Sequence, residues 1–509
     1  MAAAFGLIAL APVVINLAAW AIAGSPDRFE LLDDDAYYYL GVAEHLAAGD
    51  GFTFNGLDPT NGFHPLWLAI VVPIEWLGGG RTATVGLVLL VQSAFWLATV
   101  RELWLTGRAL GDPGVTLLAA IPLVFFAGAN YRLAFNGMES SLVLLLLAAI
   151  VRQVVGWSDG EARPLLVGLL LAALALARLD AVFVVASLAT AGWLCWRERP
   201  DRIRQVTLLA GPAALALAGY VLFNLLEFGT ATPVSGQAKS LGAPFHNLRP
   251  VRDVLAMGSL GGHSLWTGAA ALVTAFAAIR WGRRAPRGQP ASVLRHLLAA
   301  LLLAQGLLTL YLVVMTSWPT WPWYFYLLPY IWFCALLLLG LGRVPQRVTG
   351  RLAPASAALL AIVTTAFVVG WVRDPTYRSR SVVAAQALDA VSPRGAPVAM
   401  GDRAGAFSFG TERPVVQLEG LVESPEYLTA LRRGRVGDFL NKRRVAFFAA
   451  SDAEGVPTKV GAAPCRAFAE PHNGDGPKAQ IVVCDRDLVA NVNMSPWGRL
   501  RIWRYRPPG

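Results

Sequence analysis

The chain has 509 residues, of which 55% are hydrophobic and 15% charged, and its mean hydropathy is +0.51. So few charges cannot cover a soluble surface, which excludes a water-soluble enzyme. The net charge is +10, carried almost wholly by arginine, but the basic residues sit in short clusters between apolar runs. No single basic patch forms, so no nucleic-acid partner is expected.

A helix needs about 20 apolar residues to cross a bilayer. Taken in chain order, the apolar runs predict spans at 6–24, 83–105, 113–129, 140–157, 163–178, 180–196, 206–227, 263–281, 297–316, 324–342 and 354–372. That gives a polytopic α-helical membrane domain of about eleven transmembrane helices over residues 1–372. The first run lacks a basic leader and is followed by further apolar sequence, so it reads as a span and not a signal peptide. The run from His64 to Leu77 is short and holds Pro65 and Pro73. It reads as a re-entrant or interfacial helix within a first outer loop at 25–82.

Arginine bias sets the expected orientation. Arg101 and Arg108, Arg152 and Arg163, the run from Arg197 to Arg204, the run from Arg280 to Arg295, and Arg343, Arg347 and Arg351 fall in alternate loops. The positive-inside rule makes those loops and the N-terminus cytoplasmic. The loops 25–82, 130–139, 178–180, 228–262 and 317–323 then share the outer face with the C-terminal region. That region, 373–509, reads as a small soluble extracytoplasmic α/β domain. Its strand-like runs are Pro397–Met400, Val415–Leu418, Val445–Ala449 and Gln480–Val483, with a helix-like stretch over Pro425–Asn441. Cys465 and Cys484 share it and are a possible disulfide in an oxidising compartment, whereas Cys195 and Cys334 lie in apolar runs. Nothing in the region has the spacing of a second active site, so it reads as a substrate-recognition or lid domain.

The first outer loop opens with LLDDDAYYYLGVAEHLAAGDGFTFNGLDPTNGFHPLW. One aspartate before a helix is an ordinary N-cap. Asp33, Asp34 and Asp35 together ask for more, since adjacent carboxylates raise one another's pKa unless a cation or a function balances them. The loop resembles that of the GT-C superfamily of membrane glycosyltransferases, and in particular bacterial arabinofuranosyl- and mannosyltransferases that use polyprenyl-phosphate sugars. The resemblance covers residues 1–372 in architecture and is concentrated in motif between Asp33 and Trp67. It implies that Asp34 or Asp35 takes the proton from an acceptor hydroxyl. It also implies a polyprenyl-phosphate-linked sugar donor, an acceptor that is a cell-envelope glycan, lipid or protein, and a multi-pass protein of the bacterial plasma membrane.

The residue types suit that chemistry. A carboxylate within hydrogen-bond reach activates a sugar hydroxyl for attack on an anomeric carbon, and one base with a phosphate-activated donor implies direct displacement with inversion. The leaving phosphate needs cationic or N–H donors. Lys239 is the only lysine before residue 373, and Ser235 lies just upstream. Lys239 and Ser235 are candidate phosphate ligands, with snorkelling to an interface as the other reading of the lysine.

Charged groups at helix ends inside an apolar protein are functional candidates. Arg178 is thus a further phosphate candidate, and Glu139 and Asp180 are candidates for acceptor hydroxyls; Arg178 with Asp180 reads equally as an ion pair, and a pair of Arg132 with Glu139 is the other reading of Glu139. Tyr37 and His64 are further acceptor candidates, His64 also suiting a loop-fixing hydrogen bond. Trp321 and Trp323 fit an interfacial belt or a platform for a sugar or prenyl chain. No metal site is recognised and no cofactor is expected, although the three aspartates offer oxygen ligands to a divalent ion. A monomer is expected. A lipid-pyrophosphate-dependent glycan polymerase or ligase and a secondary transporter are the competing readings. A transporter calls for internal repeats and midplane charges that the sequence lacks.

Overall fold

The computed structural model describes residues 1–130, 132–159, 163–242, 247–257, 259–260, 263–282, 289–373, 377–494 and 498–506. Tyr131, the basic residues Arg283, Arg284 and Arg287, and the start of the predicted soluble region at 374–376 lie outside them. The N-terminal part is helical: α1 (Ala2–Ile22), α2 (Asp34–Ala48), α3 (Pro65–Trp76), α4 (Arg81–Ala109), α5 (Pro113–Ala119), α6 (Ile121–Val124), α7 (Ser140–Val155), α8 (Pro164–Ala177), α9 (Val182–Cys195), α10 (Arg202–Phe228), α11 (Val234–Lys239), α12 (Arg249–Leu255), α13 (Thr267–Gly282), α14 (Pro290–Met315), α15 (Leu327–Gly340) and α16 (Gln346–Arg373).

Among the described residues, six helices are long and apolar enough to cross a bilayer: α1, α4, α10, α14, α16 and the stretch Pro322–Gly340 that ends in α15. With α7, α8 and α9 as shorter apolar helices, the chain is a multi-pass membrane protein. Every predicted span falls on helix, but 113–129 is broken. Pro122 removes an amide donor between α5 and α6, and a π-helical turn, Phe125–Asn130, follows. α3 has twelve residues, about 18 Å of helix, against a hydrocarbon core of about 30 Å. α8 and α10 approach so closely that a Cβ at Gly168 would stand 2.3 Å from the Leu208 carbonyl oxygen. Small residues permit such contact between membrane helices.

A two-residue hairpin, β1 (Ser259–Leu260) with β2 (His263–Ser264), precedes α13. The C-terminal part contains α17 (Tyr377–Val391), α18 (Ala404–Gly410), α19 (Pro425–Arg432) and α20 (Val436–Lys442), with strands β3 (Val398–Met400), β4 (Val415–Gln417), β5 (Phe447–Ser451), β6 (Val456–Val460), β7 (Ala463–Glu470), β8 (Ala479–Cys484), β9 (Leu488–Asn493) and β10 (Arg499–Arg504). A five-stranded mixed sheet runs β4-β3-β5-β10-β9, with β3 parallel to β4 and β5. A three-stranded antiparallel sheet runs β6-β7-β8 and holds the Cys465–Cys484 disulfide between directly paired residues. The predicted strands are present; β6, β7, β9 and β10 lack the uniform apolar run that marks a buried strand. β6 is mostly exposed, β7 and β9 are mostly half-exposed or exposed, and β10 alternates arginine with buried apolar residues, so polar residues interrupt each of them. The stretch predicted as one helix splits into α19 and α20 at Gly434, whose φ is +65°.

Polar contacts clamp the sheet domain onto the first outer loop. Arg378 of α17 donates to Asp33 (2.9 Å) and Glu30 (3.4 Å), Arg443 donates from Nε to Asp58 (2.7 Å), and Asn55 donates to Glu423 (3.1 Å). One short helix belongs to both halves. Val234 and Ala238, one turn apart on α11, pack into the sheet domain's core with Leu418, Tyr427, Phe448 and Trp503.

Candidate active site

Five regions of the helical half and one segment of the sheet domain line a cavity of about 220 Å³. Asp35, Tyr39 and His64 face it from the first outer loop, Glu139 from the start of α7, Arg178 and Asp180 from the α8–α9 turn, and Ser235 and Lys239 from α11. Trp323 and Tyr324 close one wall, and Leu421 and Val422 of the sheet domain close another.

The three consecutive aspartates have three different fates. Successive helical residues point about 100° apart, so only one of them can face a given wall. Asp33 is the N-cap of α2, but its side chain goes to Arg378 rather than to the helix. Asp34 is buried and accepts from the backbone N–H groups of Gly405 (2.9 Å) and Ala406 (3.0 Å) at the start of α18. Asp35 is half-buried and faces the cavity. Burial pushes its carboxyl up to about 7; Lys239 opposes that shift, and Asp34, Asp33 and Asp402 add to it. Asp34, pushed up to about 6 by burial against its two N–H donors, is committed to the domain junction. Of the two aspartates expected as the base, only Asp35 faces the cavity.

Tyr37 does not reach the cavity. It is fully buried and donates to the Phe29 carbonyl (2.6 Å), because a side chain two residues from Asp35 points to the opposite side of the helix. Tyr39, four residues from Asp35, shares its face and donates to Glu139 Oε2 (3.0 Å). The i, i+4 spacing of Asp35 and Tyr39 was the available signal for this residue. Glu139 Oε1 accepts from Arg178 Nη1 (2.8 Å), and Arg178 forks onto Asp180 through Nε (3.1 Å) and Nη2 (2.7 Å). Arg132 turns instead to Asn16 (2.8 Å) and the Leu31 carbonyl (3.0 Å), so the pairing of Arg132 with Glu139 is replaced by Arg178 with Glu139.

Tyr326 donates to Asp180 (3.3 Å). Burial opposes charge on both partners, but each outweighs it for the other. Arg178 is held above and Asp180 below its ordinary range.

Lys239 donates to the Tyr324 hydroxyl (2.7 Å). Burial pulls its ammonium down, but Tyr324 and Asp35 outweigh that and keep it charged. His64 stacks on Tyr39 with ring centroids 6.5 Å apart, and its Nε2 stands 3.9 Å from Glu139. Its Nδ1 is buried with no hydrogen-bond partner, and burial lowers its pKa, so the imidazole is neutral at pH 7. Trp321 is exposed and stacks on Trp323 at 5.8 Å, the inner ring lining the cavity. Among the described residues, no group of three or more His, Cys, Asp or Glu is arranged to hold a metal ion.

The structure of ArnT from Cupriavidus metallidurans bound to undecaprenyl phosphate superposes on 87% of this chain and 92% of its own, with a TM-score of 0.51 at 13% identity. The apo structure of ArnT from the same organism gives a TM-score of 0.51 at 14% identity, over 89% of this chain and 94% of that one. The chain has the ArnT fold. No family model and no curated protein matches the sequence. The ArnT likeness extends over the helices and into the sheet domain. At such low identity ArnT lends its fold and not its residues.

Proposed function

We propose that the protein is an inverting glycosyltransferase that moves a sugar from a polyprenyl-phosphate donor to a hydroxyl acceptor of the cell envelope, a glycan, lipid or protein. The observation that carries this reading is that a carboxyl poised near neutrality, Asp35, and a charged ammonium, Lys239, line one cavity beside the membrane helices. ArnT, of the same fold, is bound to undecaprenyl phosphate in its crystal structure, which supports a polyprenyl phosphate as the donor's carrier.

In the reaction, the acceptor oxygen forms a bond to the anomeric carbon as the carbon–oxygen bond to phosphate breaks. Asp35 takes the acceptor proton as general base. The polyprenyl phosphate leaves with both electrons of the broken bond, and Lys239 and Ser235 stabilise the charge that develops on it. Arg178 is already shared between two carboxylates, so Lys239 is the cavity cation available to phosphate among the described residues. One cation suits a monophosphate leaving group better than a pyrophosphate. Arg178 then orients Glu139 and Asp180, which with His64 Nδ1 offer hydrogen bonds to sugar hydroxyls. Trp323, backed by Trp321, presents an aromatic face to the sugar or to the first prenyl units.

We assign the cavity to the extracytoplasmic face, with the N-terminus cytoplasmic and the sheet domain outside. The arginines Arg101 and Arg108 in the last turns of α4, and those from Arg197 to Arg204 between α9 and the start of α10, support this orientation, and so does the Cys465–Cys484 disulfide, which suits an oxidising compartment. The test is transfer by the purified protein from polyprenyl-phosphate-linked arabinose, mannose, glucose and galactose, with and without a chelator. Transfer from one donor that survives chelation and is lost in Asp35→Asn supports the reading. Transfer from pyrophosphate-linked donors alone would replace it with a polymerase or ligase.

A further inference from the structure

Asn61 lies in the first outer loop, directly before Gly62, Phe63 and His64 of the cavity wall, and is fully buried. A buried primary amide is costly unless its donors and acceptor are satisfied. Its Oδ1 accepts from the Val234 backbone N–H (2.8 Å), and its Nδ2 donates to Asn224 Oδ1 (2.8 Å) and to the Thr232 carbonyl (3.3 Å). The orientation of both amides is determined. A backbone N–H can only donate, and Asn224 Nδ2 is used on the Tyr220 carbonyl (3.0 Å), which leaves its oxygen for Asn61.

Val234 is the first residue of α11, and the preceding Pro233 supplies no side-chain cap. Asn61 therefore caps α11 from a loop more than 170 positions away in sequence. The apolar face of α11 packs into the sheet domain, and Ser235, Gly236 and Lys239 line the cavity. Lys239 stands five residues on, about 7.5 Å along the helix axis. Next to Asn61, a Cβ at Gly62 would stand 2.0 Å from the Leu421 carbonyl oxygen, so the loop is pressed against the sheet domain where it passes.

We propose that Asn61 is a positioning residue that fixes the donor-phosphate helix α11 relative to the loop carrying Asp35 and His64. This rests on the glycosyltransferase reading. The acceptor side and the donor side of the cavity come from separate segments, and Asn61 is the side chain that ties one to the other. Lys239 is flexible enough to find a phosphate from a slightly displaced helix, but in-line attack requires the anomeric carbon and Asp35 to be aligned together. A misplacement of about 1 Å costs on the order of a hundredfold in rate. Loss of Asn61 should therefore fall on kcat more than on the donor KM.

The experiment uses the full-length protein in detergent with Asn61→Ala and Asn224→Ala, reading kcat per folded molecule, donor KM and the acylation rate of Lys239 by mass spectrometry without substrate. We expect Asn61→Ala to lose about 30-fold in kcat with donor KM within about threefold, and Lys239 to be acylated several-fold faster. Asn224→Ala, which keeps the cap on Val234, should show the same pattern at about a third of the size. A folded Asn61→Ala with wild-type kcat and wild-type acylation overturns the proposal, as does a loss confined to thermal stability. If Asn61→Ala does not fold, a folded Asn224→Ala with unchanged kcat and acylation overturns it. Should the wild-type protein transfer no sugar, the glycosyltransferase reading fails on its own, and unchanged Lys239 acylation in the variants would still refute the placement of α11 by Asn61.

Discussion

The charged groups that line the cavity and those that lie behind Asp35 are built on opposite principles. On the helical side, Glu139, Arg178 and Asp180 are buried together, and each of the four carboxylate oxygens accepts from Arg178 or from the hydroxyls of Tyr39 and Tyr326. Behind Asp35, on the sheet side, the charge of Asp402 raises the pKa of Asp35, Glu419 and Glu470; Asp402 has Arg403 beside it (3.4 Å), whereas Glu419 and Glu470 have amides as hydrogen-bond partners. Asn473 donates to Glu419 (2.6 Å) and Gln417 donates to it at 3.4 Å, while Glu470 accepts from the His472 N–H (3.0 Å). Lys478, whose charge lowers the Glu470 pKa only in part, spends its ammonium on the carbonyls of His472, Asn473 and Gly474 (3.3, 3.2 and 2.8 Å). The consequence is opposite protonation behaviour. Asp180 is held ionised by Arg178, whereas burial pushes Glu419 well up and Glu470 up to about 8. A compensated cluster holds geometry; an uncompensated one holds protons. The base of the proposed reaction sits where the second kind meets Lys239.

The largest effect that would sharpen this contrast is at Asp35. Asp35→Asn should lower kcat by about 10³-fold, within the range of general-base removal, with the thermal midpoint at or above wild type because a buried charge is removed. Asp34→Asn should instead cost stability, since its carboxylate satisfies two N–H groups of α18. If Asp34→Asn abolishes turnover in a protein of unchanged midpoint while Asp35→Asn retains it, the assignment of the two is reversed. Next in size is the compensated side. Glu139→Gln or Asp180→Asn leaves Arg178 with half its anionic partners, which should cost about 3 kcal/mol of stability, seen as a lowered midpoint in thermal unfolding. No change in midpoint would show that the triad contributes function alone.

The fold was legible because bilayer physics writes a strong pattern, about 20 apolar residues with arginine-bearing breaks. The site was legible in part. Charges at helix ends in an apolar chain have few places to go, which is why Glu139, Arg178, Asp180 and Lys239 could be named from sequence. Choosing among neighbours was harder. Asp34 and Asp35, or Tyr37 and Tyr39, differ only in helical phase, and the wall that each faces is set by tertiary packing. What the sequence hid altogether comes from contacts distant along the chain. Leu421 and Val422 enter the cavity wall from a loop with no chemical signature. Asn61 is one asparagine among turn residues, and its burial depends on α10 and α11, more than 160 positions downstream.

The uncompensated side should also be visible in stability. Glu470 titrates near 4.5 when unfolded and near 8 when folded, so the folded state holds its proton more tightly. That stability is fully present below pH about 4.5 and is lost as pH rises through about 8. Glu470→Gln, neutral at every pH, should flatten the fall in thermal midpoint between pH 5 and 8 and raise the midpoint at pH 8. An unaltered slope would mean that Glu470 keeps its charge on a partner in the folded protein.

The smallest expected effect is the most direct test of how the two sides meet. Activity should rise with pH through an acid limb near 7, as Asp35 loses its proton and becomes able to act as base. Asp402 raises the Asp35 pKa and Lys239 lowers it. Asp402→Asn should therefore move the limb to lower pH, and Lys239→Met to higher pH beside its own loss of turnover, each by about half a unit for a single partly screened neighbour. The two shifts differ in sign, which a general loosening of the fold would not produce. Shifts of the same sign, or none, would place the titrating group elsewhere than Asp35.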